Sequence, residues 1–455
     1  MNQPRFCERL KAAVAGDSSA SLVFLANFEV EQQWARGEIG LPKLSSAANT
    51  AVVNRMDEFA ILLGGPGDHV LLKSAPDEGY LRYLSDLGFG LPVLHIVGDQ
   101  SPERMVTEDV LADPEMLTVL SELGARGALL SPHGVSELEQ GLAEKTGLAL
   151  AAPPASLCRT VNSKIYSRRL ADELGLRQPR GWVCGTLAEL DTAVAAATEL
   201  LDAGGVVLVK EALGVSGKGI AVVDNPGRLD RLRQMITRAA RAAGRDDIAF
   251  VIEERVAKTT DLNYQFTISR DGTVRPDFIK EAITEGNVHR GHRFPPSLSP
   301  AQLDRIHHAT ELLSGRLAAD GFFGVVGVDA MLDPEGGVYP VVEINARNNM
   351  STYQIPLQER LIGDGRLALA RHYPLTLDRP LSFDTVRRLL DGLLMRRPGD
   401  TGFVVNNFAT VNAAARADRQ PFNGRLYGLI VGDTQDRLVA VDTAITERLG
   451  SSAHN

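Results

Sequence analysis

Residues 322–349 read FFGVVGVDAMLDPEGGVYPVVEINARNN. Two apolar runs are joined by Asp333-Pro334-Glu335-Gly336-Gly337, a turn cluster of the kind that closes a β-hairpin. Asp329 interrupts the first run, and Glu343 and Asn345 end the second. Strand side chains alternate faces, so Glu343 and Asn345 share one face. A register that pairs positions near 329 with positions near 343 gathers all three oxygen-bearing side chains. Two carboxylates and an amide are hard ligands that suit Mg²⁺, which favours a few carboxylates plus substrate phosphates. Arg347 continues the alternation and suits the phosphate such a metal would carry. The simpler reading, solvated polar residues on an edge strand, conflicts with how apolar the flanks are.

Working backwards, VVLVKEALGVSGKGIAVV (residues 206–223) holds two β-branched runs around Gly214-Val215-Ser216-Gly217-Lys218-Gly219. Glycines let backbone N–H groups close over an anion. Ser216 adds a hydroxyl, Lys218 adds charge, and Lys210 ends the preceding strand. The spacing is not that of a P-loop, and a strand rather than a helix follows it. Next comes a helical stretch, 228–243, and then Ile248–Val256, a strand that runs into Glu253-Glu254-Arg255. Such a connector presents backbone groups to an adenine edge with apolar residues beside the ring. Asp261 is a weaker candidate for a ribose hydroxyl.

The bulk properties of the 455 residues suit a protein of two or three domains. A net charge of -9 argues against a general nucleic-acid binder. No window resembles a transmembrane helix, and MNQPRFCERLKAA lacks the apolar core of a secretory signal. Cys7, Cys158 and Cys184 have no metal spacing, which fits reduced thiols and a cytoplasmic setting. Lysines are scarce, nine in all, and Lys164, Lys210, Lys218 and Lys280 fall in the region just described.

An early lysine after Asn162-Ser163, a strand-ending lysine, a glycine-rich hairpin, a Glu-Glu hinge, then Asp and Glu-x-Asn-x-Arg: in this order the chain resembles the ATP-grasp ligases over roughly residues 156–360. The resemblance implies a nucleotide between two α+β lobes. It implies ATP contacts from Lys164 and Lys210, from Ser216, Gly217, Lys218 and Gly219 of a mobile flap, from Glu253, Glu254, Arg255 and Val256, and from Asp261. Asp329, Glu343 and Asn345 become ligands of two Mg²⁺ ions, with Mn²⁺ as a substitute. D-Alanine–D-alanine ligases carry an arginine where this chain has Gly327 and a Pro-Gly segment where it has Ala346-Arg347-Asn348-Asn349. The Asn-x-Arg ending is more similar to the biotin-carboxylase-type and amino-acid-ligase branches.

The flanks complete the expected α/β architecture. SLVFLANF, AILLGGPGDHVLL, LPVLHIV and GALLSP, with a helix over 135–145, form a βαβ pattern suited to an open sheet. That pattern resembles a pre-ATP-grasp domain (1–155), followed by a two-lobed ATP-grasp domain (156–372). A small C-terminal α+β domain (373–455) holds a helix over 383–394 and the strands of GFVVNNFATVN and GRLYGLIVGD. The whole resembles the pheganomycin-type peptide ligases. It implies a ligase that phosphorylates a guanidino-modified amino acid and joins it to a peptide N-terminus through an acyl-phosphate, releasing ADP and phosphate. Arg347 is the expected oxyanion partner. The basic stretch 279–293, read as a loop, offers Lys280 and Arg293 to the reacting groups and Arg290 and His292, with Asn349, to substrate. The expected partners are a small acid and an amino acid or peptide amine, with no nucleic acid or membrane; a homodimer stays open beside a monomer. A ligase of other specificity, an adenylating ligase and a nonenzymatic ATP-binding module are the rivals; nucleotide product separates an ADP-forming ligase of either specificity from the other two, which give AMP and none.

Overall fold

A computed structural model describes residues 4–41, 47–214, 219–285, 288–363, 365–416 and 421–452. Among them the strands form three sheets. The first contains β1 (Leu22–Leu25), β2 (His69–Leu72), β3 (Val93–Ile96), β4 (Leu129–Pro132) and β5 (Ala149–Leu150). These strands are parallel, in the order β3-β2-β1-β4-β5. Strand order reverses between β1 and β4, which leaves a crevice at their carboxyl ends. Asn27 closes it by donating to Gly134 O (2.9 Å) and accepting from His133 N (3.0 Å). The AILL run is not a strand; it ends the 3₁₀ helix Arg55–Leu62, and only HVLL beyond the Gly-Gly-Pro-Gly turn extends.

The second sheet contains β6 (Gly181–Thr186), β7 (Val207–Glu211), β8 (Ile220–Val223) and β9 (Asp247–Glu254), in the order β6-β9-β7-β8. Helices Leu187–Asp202 and Pro226–Ala242 pack their apolar stripes on it. The third sheet has eight strands: β10 (Thr260–Ile268), β11 (Val274–Glu285), β12 (Val288–Phe294), β13 (Gly324–Leu332), β14 (Val338–Asn345), β15 (Leu367–Leu377), β16 (Gly402–Asn407) and β17 (Phe422–Gly432). Its order is β14-β13-β10-β11-β12-β15-β17-β16. Helix Pro300–Ala319 covers the face that carries Leu262, Tyr264, Val328 and Ile344.

The break expected after residue 372 falls inside β15, whose eleven residues pair with β17 without a shift. The C-terminal strands thus continue the same sheet, and they share one apolar core with the parallel sheet through Phe24, Phe59, Tyr80, Phe383, Phe403 and Leu429. The helix expected over 383–394 stops at Leu389. Among the described residues no helix is long and apolar enough to cross a membrane.

Glu58 fastens the two ends of the chain by accepting Phe408 N (2.6 Å) and Ala409 N (2.8 Å). Burial pushes its carboxyl up to about 7. The folded state therefore holds this proton more tightly than the unfolded chain does, and the stability contributed falls as pH rises from the ordinary glutamate range to about 7. Glu58→Gln removes that slope. Its melting temperature relative to the parent should rise by a few degrees between about pH 5 and about pH 7.5, as measured by calorimetry across that range.

Candidate nucleotide and metal site

The hairpin β13–β14 pairs Asp329 directly with Glu343, and Asn345 with Gly327. Across the next strands Asp329 pairs with Asn263, and Asn263 with Lys280. Directly paired residues share a face, so Glu343, Asp329, Asn263 and Lys280 form one polar row across four strands. Asp329 accepts from Asn263 Nδ2 (2.9 Å) and Asn345 Nδ2 (3.2 Å). Burial, and then the adjoining Glu343, push the Asp329 carboxyl up to about 6.

Helix Lys164–Glu173 brings its first residue to this row. Ser163 caps it by accepting Ile165 N (3.2 Å), and Ser167 Oγ accepts Ile344 N (3.0 Å), which pins the helix to β14. Lys164 Nζ then donates to Glu343 Oε1 (2.7 Å) and to Gly214 O (3.3 Å). Burial works against this ammonium, but Glu343 and the more distant Glu31 and Asp329 outweigh it and hold the lysine above its usual pKa. Lys210 sits at the end of β7 in an ion pair with Glu253, which Arg168 also approaches at 3.6 Å. Lys164, Arg168, Lys210 and Glu253 line one cleft with Val251 and Val341, between the second sheet and the hairpin.

The remaining expected residues divide. Ser216, Gly217 and Lys218 lie outside the described residues. Gly219 closes the β7–β8 turn at φ +83, its carbonyl accepting Glu211 N (2.8 Å). Glu254 and Arg255 engage their backbone N–H groups with Arg180 O (2.7 Å) and Val206 O (2.8 Å), so a base edge needing an N–H has to be met from Val256 onward. Asp261 shares the face of Asn263 and accepts from Lys258 Nζ (2.6 and 2.8 Å). The described residues of the stretch 279–293 lie in the strands β11 and β12, not in a loop. Arg293 pairs with Glu281 in register and bonds it at 2.6 Å. Alternation therefore sends it to the face opposite Lys280, away from the polar row. His292 and Arg290 lie in β12, and the Arg290 side chain lies outside the described residues. Asn349 builds a turn: its amide donates to Gln265 Oε1 (3.1 Å) and accepts from Ser351 N (2.8 Å) and Thr352 N (3.2 Å).

Lys280 lies wholly buried, over the Phe278 ring at 4.3 Å and donating to Gln354 Oε1 at 3.2 Å. Burial pushes its ammonium down to about 7. Arg347 donates to Asn345 Oδ1 (3.1 Å) and Asn348 O (3.0 Å), and pairs with Glu31. Glu31 belongs to helix Val30–Trp34, just past β1. Sequence reasoning missed it; a lone glutamate in a five-residue helix carries no motif.

Among the described residues no three His, Cys, Asp or Glu side chains converge as a metal site. Two carboxylates, the Asn345 amide and the buried, unpartnered Oδ1 of Asn263 still fit a divalent cation whose other ligands are phosphate oxygens.

Residues 56–148 match the family model of the pre-ATP-grasp domain. The chain is 26% identical over 331 residues to the butirosin acyl-carrier protein–L-glutamate ligase of Niallia circulans, covering 72% of each. Its fold is similar to an ADP complex of N5-carboxyaminoimidazole ribonucleotide synthetase (TM-score 0.56, 12% identity, 96% of this chain and 98% of that one). It is similar, too, to an ATP-analogue complex of the biotin carboxylase of Campylobacter jejuni (TM-score 0.56, 15% identity, 89% and 93%).

If Lys210 is a phosphate ligand, Lys210→Ala should weaken ATP and ADP alike, by about 1.5–3 kcal/mol, the range for a charge-assisted hydrogen bond. Calorimetry that finds unchanged nucleotide affinity removes Lys210 from the site.

Proposed function

We infer that the chain is an ATP-dependent carboxylate–amine ligase working through an acyl-phosphate and releasing ADP and phosphate, a reading supported by the pre-ATP-grasp match, the likeness to a ligase and the shared fold. The observation that carries this reading is the in-register Asp329–Glu343 pair, with Lys164 on one carboxylate and Arg347 just beyond Asn345. A carboxylate is a poor electrophile, so its oxygen first takes the γ-phosphoryl group of ATP; the amine then attacks the acyl carbon and phosphate leaves. Lys164 and Lys210 would hold phosphate oxygens in exchange for their present carboxylate partners. Asp329, Glu343 and Asn345 would hold Mg²⁺. The metal supplies neutralisation of phosphate charge.

Lys280 is the cation nearest in register to the metal row on the far side of Asn263. A carboxylate brought beside it would raise its pKa and fix its charge, so its ammonium is matched to an incoming acid. Arg347 is aimed at the oxyanion of the tetrahedral intermediate, where preorganised donors act most strongly.

For substrates, we propose a guanidino-modified amino acid as donor and a peptide N-terminus as acceptor, within peptide natural-product biosynthesis. The named acid of the Niallia circulans relative is itself an amino acid, which supports an amino-acid donor.

Arg347→Met separates chemistry from structure. Removing one oxyanion donor lowers turnover by about 10²–10³, so single-turnover amide formation should fall by that factor while ATP affinity holds. Since Arg347 also pairs with Glu31, a purely fastening role would instead lower the melting temperature and leave the rate unchanged. Chromatography of the nucleotide product gives ADP for this reading and AMP for an adenylating ligase.

A further inference from the structure

The sheet face that carries the polar row holds a second network one step along β10. Gln265 lies two residues beyond Asn263 and pairs with Gly327 on β13 and Phe278 on β11. Its side chain is 1% exposed. Nε2 donates to Asp277 Oδ2 (2.8 Å), and Oε1 accepts Asn349 Nδ2 (3.1 Å) and Thr352 Oγ1 (2.7 Å). Thr267 Oγ1 donates to the same Asp277 oxygen (2.8 Å). Two departures from a regular sheet make this possible. The β10–β11 register shifts after Gln265: Phe266 meets Pro276, which leaves Asp277 as the extra residue of a bulge. Strict alternation from Lys280 would turn Asp277 to the opposite face, and the bulge re-aims it onto the polar one. At Gly327 an added Cβ would lie 2.5 Å from Asn349 Nδ2, so a side chain there displaces that amide from Gln265.

The network ends on the segment Arg347–Gln354, which follows β14. Arg347 opens it, and Gln354 closes it by accepting Lys280 Nζ. The two cations that the ligase reading gives to the oxyanion and the acid thus depend on how one short segment is seated. Gln265 grips the middle of that segment at both Asn349 and Thr352. A glutamine amide keeps its shape when its oxygen and nitrogen exchange places. Exchanged, it would set an NH₂ group against the Asn349 NH₂ and an oxygen against the Asp277 carboxylate. Burial pushes the Asp277 carboxyl up to about 6, so at neutral pH it is ionised and only accepts. It therefore admits one orientation of Gln265, the one that offers its oxygen to the segment.

We propose that Gln265 and Asp277 are positioning residues of the reaction: Asp277 orients the Gln265 amide, and Gln265 seats the segment that presents Arg347 and Lys280 to the reacting acid. This rests on the carboxylate–amine ligase reading, and it adds to that reading two residues that act only through others.

The test uses the full chain and a donor–acceptor swap. Gln265→Met keeps the volume and removes the amide. Gln265→Glu sets a second carboxylate against Asp277. Adding Asp277→Asn to Gln265→Glu reverses donor and acceptor across that contact and again offers an oxygen to Asn349 and Thr352. Hydrogen exchange of peptides spanning 347–354, read by mass spectrometry, needs no substrate. It should speed up about tenfold or more in both single variants, the effect of losing a buried hydrogen bond, and return close to the parent rate in the swap. Turnover is read as ADP release from Mg²⁺-ATP, with phenylglycine or its N-amidino derivative as acid and glycylglycine as amine, well below each variant's melting temperature. The single variants should lose about ten- to a hundred-fold in kcat, the cost of a small misplacement, with KM for ATP unchanged, and the swap should recover most of it. Unchanged exchange in both single variants overturns the proposal, whatever the activity. Faster exchange at an unchanged kcat reduces the network to a fastening of the fold and overturns it too. A parent that releases no ADP with either acid counts against the ligase reading for those acids. The exchange data then decide alone: faster exchange restored by the swap supports the Gln265–Asp277 pair as what seats the segment, and exchange that the swap does not restore overturns it.

Discussion

Asp329 and Glu343 face each other directly across two strands, in a sheet whose other face is core. Like charges in that position repel, and a low local dielectric strengthens the repulsion. The chain compensates with Lys164 on Glu343, two amide donors on Asp329, and a proton held on Asp329 up to about pH 6. None of this improves the fold over two valines in the same positions. A local rule broken and then compensated by a helix, a neighbouring strand and the hairpin itself is the pattern of a site kept for something other than stability.

The eight-stranded sheet makes that chemistry possible by acting as a ruler. Its register sets Glu343, Asp329, Asn263 and Lys280 in one row, and the continuation of the sheet through β15, β17 and β16 anchors the row against the parallel sheet. Asn348 N meets His133 O at 3.0 Å, so the loop that carries Arg347 is docked on the end of β4. On the proposed reading, the reactive side lies where the first and third sheets meet, and the phosphate side where the second meets the hairpin.

The hairpin was legible because its signal is local. A five-residue turn cluster fixes the register, and period-two alternation then decides which acids meet. Lys164 and Lys210 were legible because lysines are scarce and both lie at element ends. Arg293 was misassigned because basic residues around Gly286, Asn287 and Gly291 read as a loop, whereas strand alternation sends every second one to the wrong face. The β15 run LALARHYPLTL did not read as a strand because Arg371, His372 and Pro374 interrupt it. Its partner strands, β12 and β17, lie some seventy residues before it and beyond residue 420, where no local pattern reaches. Glu31 was illegible for the same reason: it meets Arg347 across 316 positions of sequence.

Charge balance links these parts. Lys164 faces Glu343, Lys210 faces Glu253, and Arg347 faces Glu31, so three of the cations around the cleft are each matched by an acid. Arg168 shares Glu253 with Lys210, and Lys280, in the adjoining polar row, is pushed toward neutrality. Such a cleft presents little net positive charge to a triphosphate, and a polyanion entering alone would meet as many carboxylates as ammonium groups. On the proposed ligase reading, Asp329 and Glu343 would hold divalent cations that accompany the phosphates, and Lys164 would then be free for the nucleotide. The acids would then serve twice: they hold long basic side chains in place, so less rotamer entropy is lost on binding, and they would couple phosphate affinity to the metal.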